Sequence, residues 1–199
     1  MQRLNRAIGI TFAMAFAVGT IPAASAGSPI DPDTLTPAPP AGASCQQTGP
    51  SAVVCQTAIS VAADGVPLFD IGCGTVYETS TEDLVAIRWY ADGLLVRRFI
   101  RGDMAGTWGL TPDASGRAIP FVGHWTQHDT FSVPGDPDTV VEDATGLAFH
   151  ATDPRLGADL ILAGRIEPDG TLHGVNRVDE PLGEISPASI ATLESVLCD

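Results

Sequence analysis

The chain has 199 residues and a formal net charge of −14, with 24 Asp and Glu set against 10 basic residues, all of them arginine. A surface of that sign repels phosphate backbones and anionic lipid, so nucleic acid is excluded as an expected partner and a charged membrane as an expected resting place. No stretch after the first 26 residues is apolar over the roughly 20 positions needed to span a bilayer as a helix.

Those first residues carry the three parts of a secretory signal peptide, expected over residues 1–26. Arg3 and Arg6 are the basic region, Ala7 to Ile21 is apolar, and Ala24-Ser25-Ala26 offers small residues for cleavage. Removing them takes two of the ten arginines and no acid, so the mature chain carries −16. We expect a secreted, extracellular protein with no membrane anchor, and a monomer. Residues 27–44 (GSPIDPDTLTPAPPAGAS) read as a Pro-rich disordered leader, poor in core-forming side chains. Residues 45–199 then form one domain, long enough to bury a core.

Cys45, Cys55, Cys73 and Cys198 are an even number in an exported chain, which reads as two structural disulfides, and their spacing matches no paired zinc signature. Three connectivities are open. The turn-forming Gly49-Pro50 favours Cys45 with Cys55, leaving Cys73 to hold Cys198.

From Ala52 onward, apolar and β-branched runs alternate with Gly/Pro/Asp turns. The expected strands cover Ala52 to Ala62, Thr75 to Ser80, Leu84 to Tyr90, Leu94 to Leu110, Ala118 to Ser132, Thr139 to Thr152, Ala158 to Glu167 and Thr171 to Val178. Short connections between consecutive strands make antiparallel neighbours. The fold class expected is therefore all-β: an antiparallel up-and-down meander of about eight strands, with a barrel as its closure. Ser186-Pro187 caps and starts a short C-terminal helix, and Ile190, Leu193, Val196 and Leu197 follow helical spacing.

The clearest supersecondary signal is Leu84 to Arg101, two β-rich runs meeting at Ala91-Asp92-Gly93. By analogy with Glu167-Pro168-Asp169-Gly170-Thr171, where Pro168 presets a three-residue loop, this hairpin is read with a three-residue loop. Tyr90 then pairs with Leu94 and Arg88 faces Val96, whereas a two-residue loop would oppose Arg88 to Arg97. The register puts Arg88, Arg98 and Tyr90 on one face and Arg97 with Trp89 on the other. Both faces hold apolar bulk, which predicts cover on each side.

Four of the eight mature arginines, Arg88, Arg97, Arg98 and Arg101, lie in this hairpin. Arginine presents a planar fork suited to carboxylate or phosphate, so Arg88, Arg98 and Tyr90 are the candidate ligand-binding residues, facing a small hydrophobic or anionic ligand. The plainer use is surface ion pairing with acids such as Glu78, Glu82 and Asp103.

His124 and His128 have the spacing of a helical metal pair, but on a strand four residues span ~13 Å, so no metal site is assigned. His150 and His173 lie on other strands and leave a histidine-lined lumen open. Asp136, Asp138, Glu142 and Asp143 read as a solvated acidic loop, without the calcium-loop pattern. Trp89, Trp108 and Trp125 read as core or wall residues. Nucleophile-elbow, zinc-protease, phosphate-loop and dinucleotide signatures are all missing from the sequence, so no catalytic residue and no cofactor is nominated.

The segments Cys73-Gly74-Thr75-Val76-Tyr77-Glu78, Ala91-Asp92-Gly93-Leu94-Leu95-Val96-Arg97-Arg98 and Gly123-His124-Trp125-Thr126-Gln127-His128 together resemble secreted, functionally unassigned β-rich proteins of high-GC Gram-positive bacteria. That resemblance implies export and a β-rich fold and carries no activity with it. The functional expectation is small-ligand binding in a barrel lumen. Its alternatives are a non-catalytic extracellular interaction module, or a cyclase, isomerase or hydrolase using the same cavity.

Overall fold

Consecutive strands joined by short turns pair with their neighbours, and here they do so without exception. In the computed structural model, which describes residues 30–151, 153–156, 160–178 and 185–198, one antiparallel sheet runs β1 to β8 in chain order. The strands are β1 (Ser44–Gln47), β2 (Ala52–Ile71), β3 (Gly74–Ala91), β4 (Leu94–Gly109), β5 (Ala118–Phe131), β6 (Val140–Ala151), β7 (Leu160–Ile166) and β8 (Leu172–Asn176). The expected signal peptide, residues 1–26, and residues 27–29 of the expected leader lie outside the described residues.

The meander is as expected, but it does not close: β1 and β8 are the two ends of the strand order and do not pair. Two expected strands, Thr75 to Ser80 and Leu84 to Tyr90, are one continuous β3. The polar Thr81-Glu82-Asp83 between them is ordinary strand, because successive side chains leave on opposite faces. β2 likewise runs past Ala62, absorbing Gly65 at φ 60° as a register shift between Ala63 and Val66.

The sheet is strongly one-sided. Among strand residues, those that are buried, apart from Gly109, share one face, which we term inner: Val53, Cys55 and Thr57 on β2, Val76, Ser80, Ala86 and Tyr90 on β3, and Ile119, Phe121, Asp129 and Phe131 on β5 are examples. The expected cover on both sides is not found. Val85, Ile87, Trp89 and Phe99 sit half-buried on the outer face with no second layer over them among the described residues. There Trp89 is shielded by Arg97, whose guanidinium carbon lies 4.1 Å from the ring centroid.

Two apolar clusters occupy the inner face. One gathers Ile71, Val76, Trp108, Ile119, Phe121, Phe149 and Leu160 under α1 (Pro187–Leu197), which contributes Leu193, Val196 and Leu197. Trp108 stacks on Phe149 at 4.5 Å. The helix starts as read: the Ser186 side chain accepts from the Ser189 amide, and Pro187 occupies the first turn. Cys73–Cys198 ties its end to the β2–β3 turn.

The other cluster joins Cys45, Val53, Cys55, Tyr90, Leu95 and Phe131 to Leu35. Leu35 belongs to the Pro-rich segment, so residues 30–43 are docked rather than free. The Tyr90 hydroxyl donates to the Pro37 carbonyl at 3.0 Å, the Thr36 amide donates to the Gly93 carbonyl, and the Thr36 carbonyl accepts from the Leu95 amide. Cys45–Cys55 crosses from β1 to β2 in the same place, so both disulfides are the favoured pairs.

Candidate functional site

The hairpin turn differs from its reading. Asp92 at φ 51° and Gly93 at φ 79° make a two-residue loop of the primed type, with Ala91 facing Leu94 and Tyr90 facing Leu95. Pro168 does preset a three-residue loop, closed by Glu167 and Thr171 with Gly170 at φ 84°. Ala91 imposes no such φ, and Asp-Gly accepts two positive ones. One residue beyond, the register shifts between Trp89 and Tyr90, so Trp89 faces Arg97 and Arg88 faces Arg98. The shorter turn and the bulge offset each other, and the predicted sorting of Arg88, Arg98 and Tyr90 onto one face survives.

That face is the inner one. Arg98 Nε donates to Asp129 Oδ2 at 2.5 Å, and Asp129 is fully buried. Gln127 Nε2 donates to Asp129 Oδ1 at 2.8 Å and to Glu142 at 3.2 Å. Arg88 has no ion-pair partner among the described residues, and its Nη1 is buried without a hydrogen bond. Burial holds the Arg88 guanidinium below its ordinary value, Tyr90 and Asp129 oppose that, and Arg98 adds to it. Burial likewise raises the Tyr90 phenol.

A groove of about 390 Å³ opens on the same face, over β5 to β8, and none of these three residues lines it. Its walls are Trp125, Leu162, Ile166, Leu172 and Ala144, with Glu82 and Gln127 as polar groups. The physical origin is a row of glycines. Trp125 faces Gly102 on one side and Gly146 on the other, Gly146 faces Gly164, and Gly164 faces Gly174. A Cβ on Gly102 would stand 2.4 Å from the Trp125 ring, so the indole lies directly on backbone. It reaches across β4 to β3, where Nε1 donates to Glu82 Oε1 at 3.1 Å. Gly146 and Gly164, at φ 134° and 140°, would each press a Cβ within 2.4 Å of a neighbouring carbonyl oxygen. No side chain can stand at Gly146 or Gly164, and the groove floor there is bare backbone.

Glu82 is the one titratable group in the lining. Burial lifts its carboxyl above the usual range, the Trp125 hydrogen bond pulls it back, and Glu78 nearby adds to the rise. Glu78 repeats the arrangement, accepting from Trp108 Nε1 at 3.2 Å and from Ser80 at 2.7 Å. Both acids therefore serve tryptophans, and of the acids considered as arginine partners Asp103 alone is one, to Arg101 at 3.1 Å.

The histidines lie elsewhere. By register all four point to the outer face: His124 meets Asp103 at 2.7 Å, His128 sits edge-on to Phe99, His150 stands between Val122 and Ile161, and His173 is 3.4 Å from Glu167. A histidine-lined interior is thus overturned. The acidic loop has ordinary uses: Asp136 caps the 3₁₀ turn Pro137–Thr139, and Asp143 pairs with Arg165 at 2.6 Å. Among the described residues, no three His, Cys, Asp or Glu converge as a metal site, and no helix is long and apolar enough to cross a membrane.

Compared with protein-family models, with curated proteins and with solved structures, the chain matches none.

Proposed function

We propose that this is an exported small-ligand-binding protein that holds a hydrophobic or amphipathic molecule in the inner-face groove between Trp125 and Leu172. The observation that carries this reading is the glycine row, which keeps a space of about 390 Å³ open beside an indole in a sheet that elsewhere fills its inner face with side chains. That volume lies within the usual span of small-molecule sites, and an apolar lining with one or two polar groups is their usual composition. The open sheet makes the site a trough rather than a barrel lumen. The signal peptide and two disulfides support export.

Native mass spectrometry of the protein from its own secretion medium is the first test, with a retained apolar molecule expected. Titration with an apolar fluorophore, read through Trp125, is the second. Ala144→Phe fills the groove without touching the glycine row and is expected to weaken binding roughly tenfold or more. Unchanged affinity would sink the groove reading.

The interaction-module alternative is favoured by the outer stripe of Val85, Ile87, Trp89 and Phe99, half-buried and uncovered. Trp89→Ser separates the two, since it leaves fluorophore binding intact if the groove is the site. The enzymatic alternative has less support, with a single carboxylate and no histidine in the groove.

A further inference from the structure

Arg88 occupies an unusual position for a cation in this chain. Its neighbours on the inner face are Cys55 and Arg98 directly opposite, Ala86 and Tyr90 along its own strand, and Thr57 and Ile100 on the diagonals. None is an acid. The charges on its row run Arg88, Arg98, Asp129, Glu142 across β3 to β6. Asp129 is bonded to Arg98, and Glu142 stands exposed a further strand away, so the positive end of the row is left without a counter-charge.

A second unmet group lies beside it. Thr57 is 3% exposed, and its Oγ1 is buried with no hydrogen-bond partner, as is Arg88 Nη1. Thr57 faces Ala86 and Cys55 faces Arg88, which makes Thr57 and Arg88 diagonal cross-strand neighbours, roughly 7–8 Å apart at the backbone and within reach of an arginine side chain. Buried polar groups are almost always satisfied, and of the three buried polar side-chain atoms without a partner among the described residues, Arg88 Nη1 and Thr57 Oγ1 stand at diagonal positions of one face, His150 Nε2 being on the other.

We propose that Arg88 and Thr57 bind a monovalent carboxylate, one oxygen accepting from Arg88 Nη1 and the other from the Thr57 hydroxyl. The charge count selects the class. Two guanidiniums and one carboxylate leave a single positive charge at this spot, which a monoanion neutralises and a phosphate dianion would overrun. A planar group with two oxygens has one acceptor for each of the two donors. Arg98 is a positioning residue, held by Asp129. Tyr90, its hydroxyl committed to Pro37, walls the site off toward the docked amino-terminal segment. This inference does not rest on the groove, because neither Arg88 nor Thr57 lines it.

The test replaces sodium chloride with sodium acetate at constant ionic strength, following the thermal midpoint and, by NMR, the arginine side-chain N–H signals. In the wild-type chain the midpoint is expected to rise as acetate replaces chloride, with one arginine signal shifting to saturation. Arg88→Met should abolish both responses, and Thr57→Val should weaken the apparent affinity roughly tenfold, the loss of one hydrogen bond to a charged group. Ala144→Phe should keep the full response. No acetate-specific response in the wild type, a response that Arg88→Met retains, or its loss in Ala144→Phe would each overturn the site. The NMR signal decides the matter in the wild-type chain even where a variant folds poorly.

Discussion

The two ends of the inner face are closed by different means. At one, a carboxy-terminal helix lies over an aromatic cluster drawn from β2 to β7, and Cys73–Cys198 joins positions 125 apart in sequence. At the other, a short segment with a single 3₁₀ turn, Pro32–Thr34, lays Leu35 against a smaller cluster, and Cys45–Cys55 joins positions only 10 apart. The helix end recruits distant chain and gains most from its crosslink. The amino-terminal end is assembled from near neighbours, and needs the Tyr90 and Thr36 hydrogen bonds to hold a proline-rich strip that has little apolar surface of its own.

That contrast can be broken most forcefully at the disulfides. Constraining the unfolded chain scales with loop length, so replacing Cys73 and Cys198 by serine is expected to cost about 5 kcal/mol, against about 3 kcal/mol for Cys45 and Cys55. Equal losses in chemical denaturation would show that the two ends are tied alike. Asp129→Asn strips the buried partner from Arg98 and is expected to cost about 3 kcal/mol, near the amino-terminal end. Leu193→Ala, fully buried on the helix, should cost about 3 kcal/mol and Leu35→Ala about 2 kcal/mol, with the double variant additive to about 0.5 kcal/mol if the ends are independent.

The smallest effects are those of pH. Glu82 has a folded-state pKa above its unfolded 4.5, so the stability it contributes is complete below that value and is lost as pH rises through the folded pKa. Glu82→Gln keeps an oxygen for Trp125 and should flatten this decline in thermal midpoint. Asp153 behaves oppositely. Hydrogen bonds from Arg155 lower its carboxyl to about 2, so its contribution is present above the unfolded 3.8 and disappears as pH falls toward 2. Asp153 precedes the turn that carries Leu156 into the helix-end cluster, and acid should therefore loosen that end, a change that Arg155→Gln would mute.

Features written in local chemistry were legible in the sequence. Ser186-Pro187 caps the helix, Gly49-Pro50 brings two cysteines together, and Pro168 fixes its loop, because each depends on a few adjacent dihedrals or capping atoms. The Asp92-Gly93 turn misled through analogy, since the constraint that proline imposes was carried to a site without proline. Closure and one-sidedness were not legible, for they depend on how far eight strands curl. The groove was hidden for a related reason: Gly146 and Gly164 read singly as ordinary strand glycines. They form a floor only once the β5–β6 and β6–β7 registers bring them into line beside Trp125. Counting glycines inside β-rich runs was the available signal. The candidate arginines were sorted to the correct faces, while Thr57, whose importance lies in lacking a partner, gave no sign at all.

The backbone floor of the groove also bears on how this protein can change over generations. A floor made of side chains can be raised by one enlarging substitution, whereas here Gly146 and Gly164 resist any replacement because a Cβ would meet a carbonyl. Variation is left to the walls, at Ala144, Leu162, Ile166 and Leu172. Descendants of this chain should therefore keep the backbone floor, while the walls decide how far the trough stays open and what fits it.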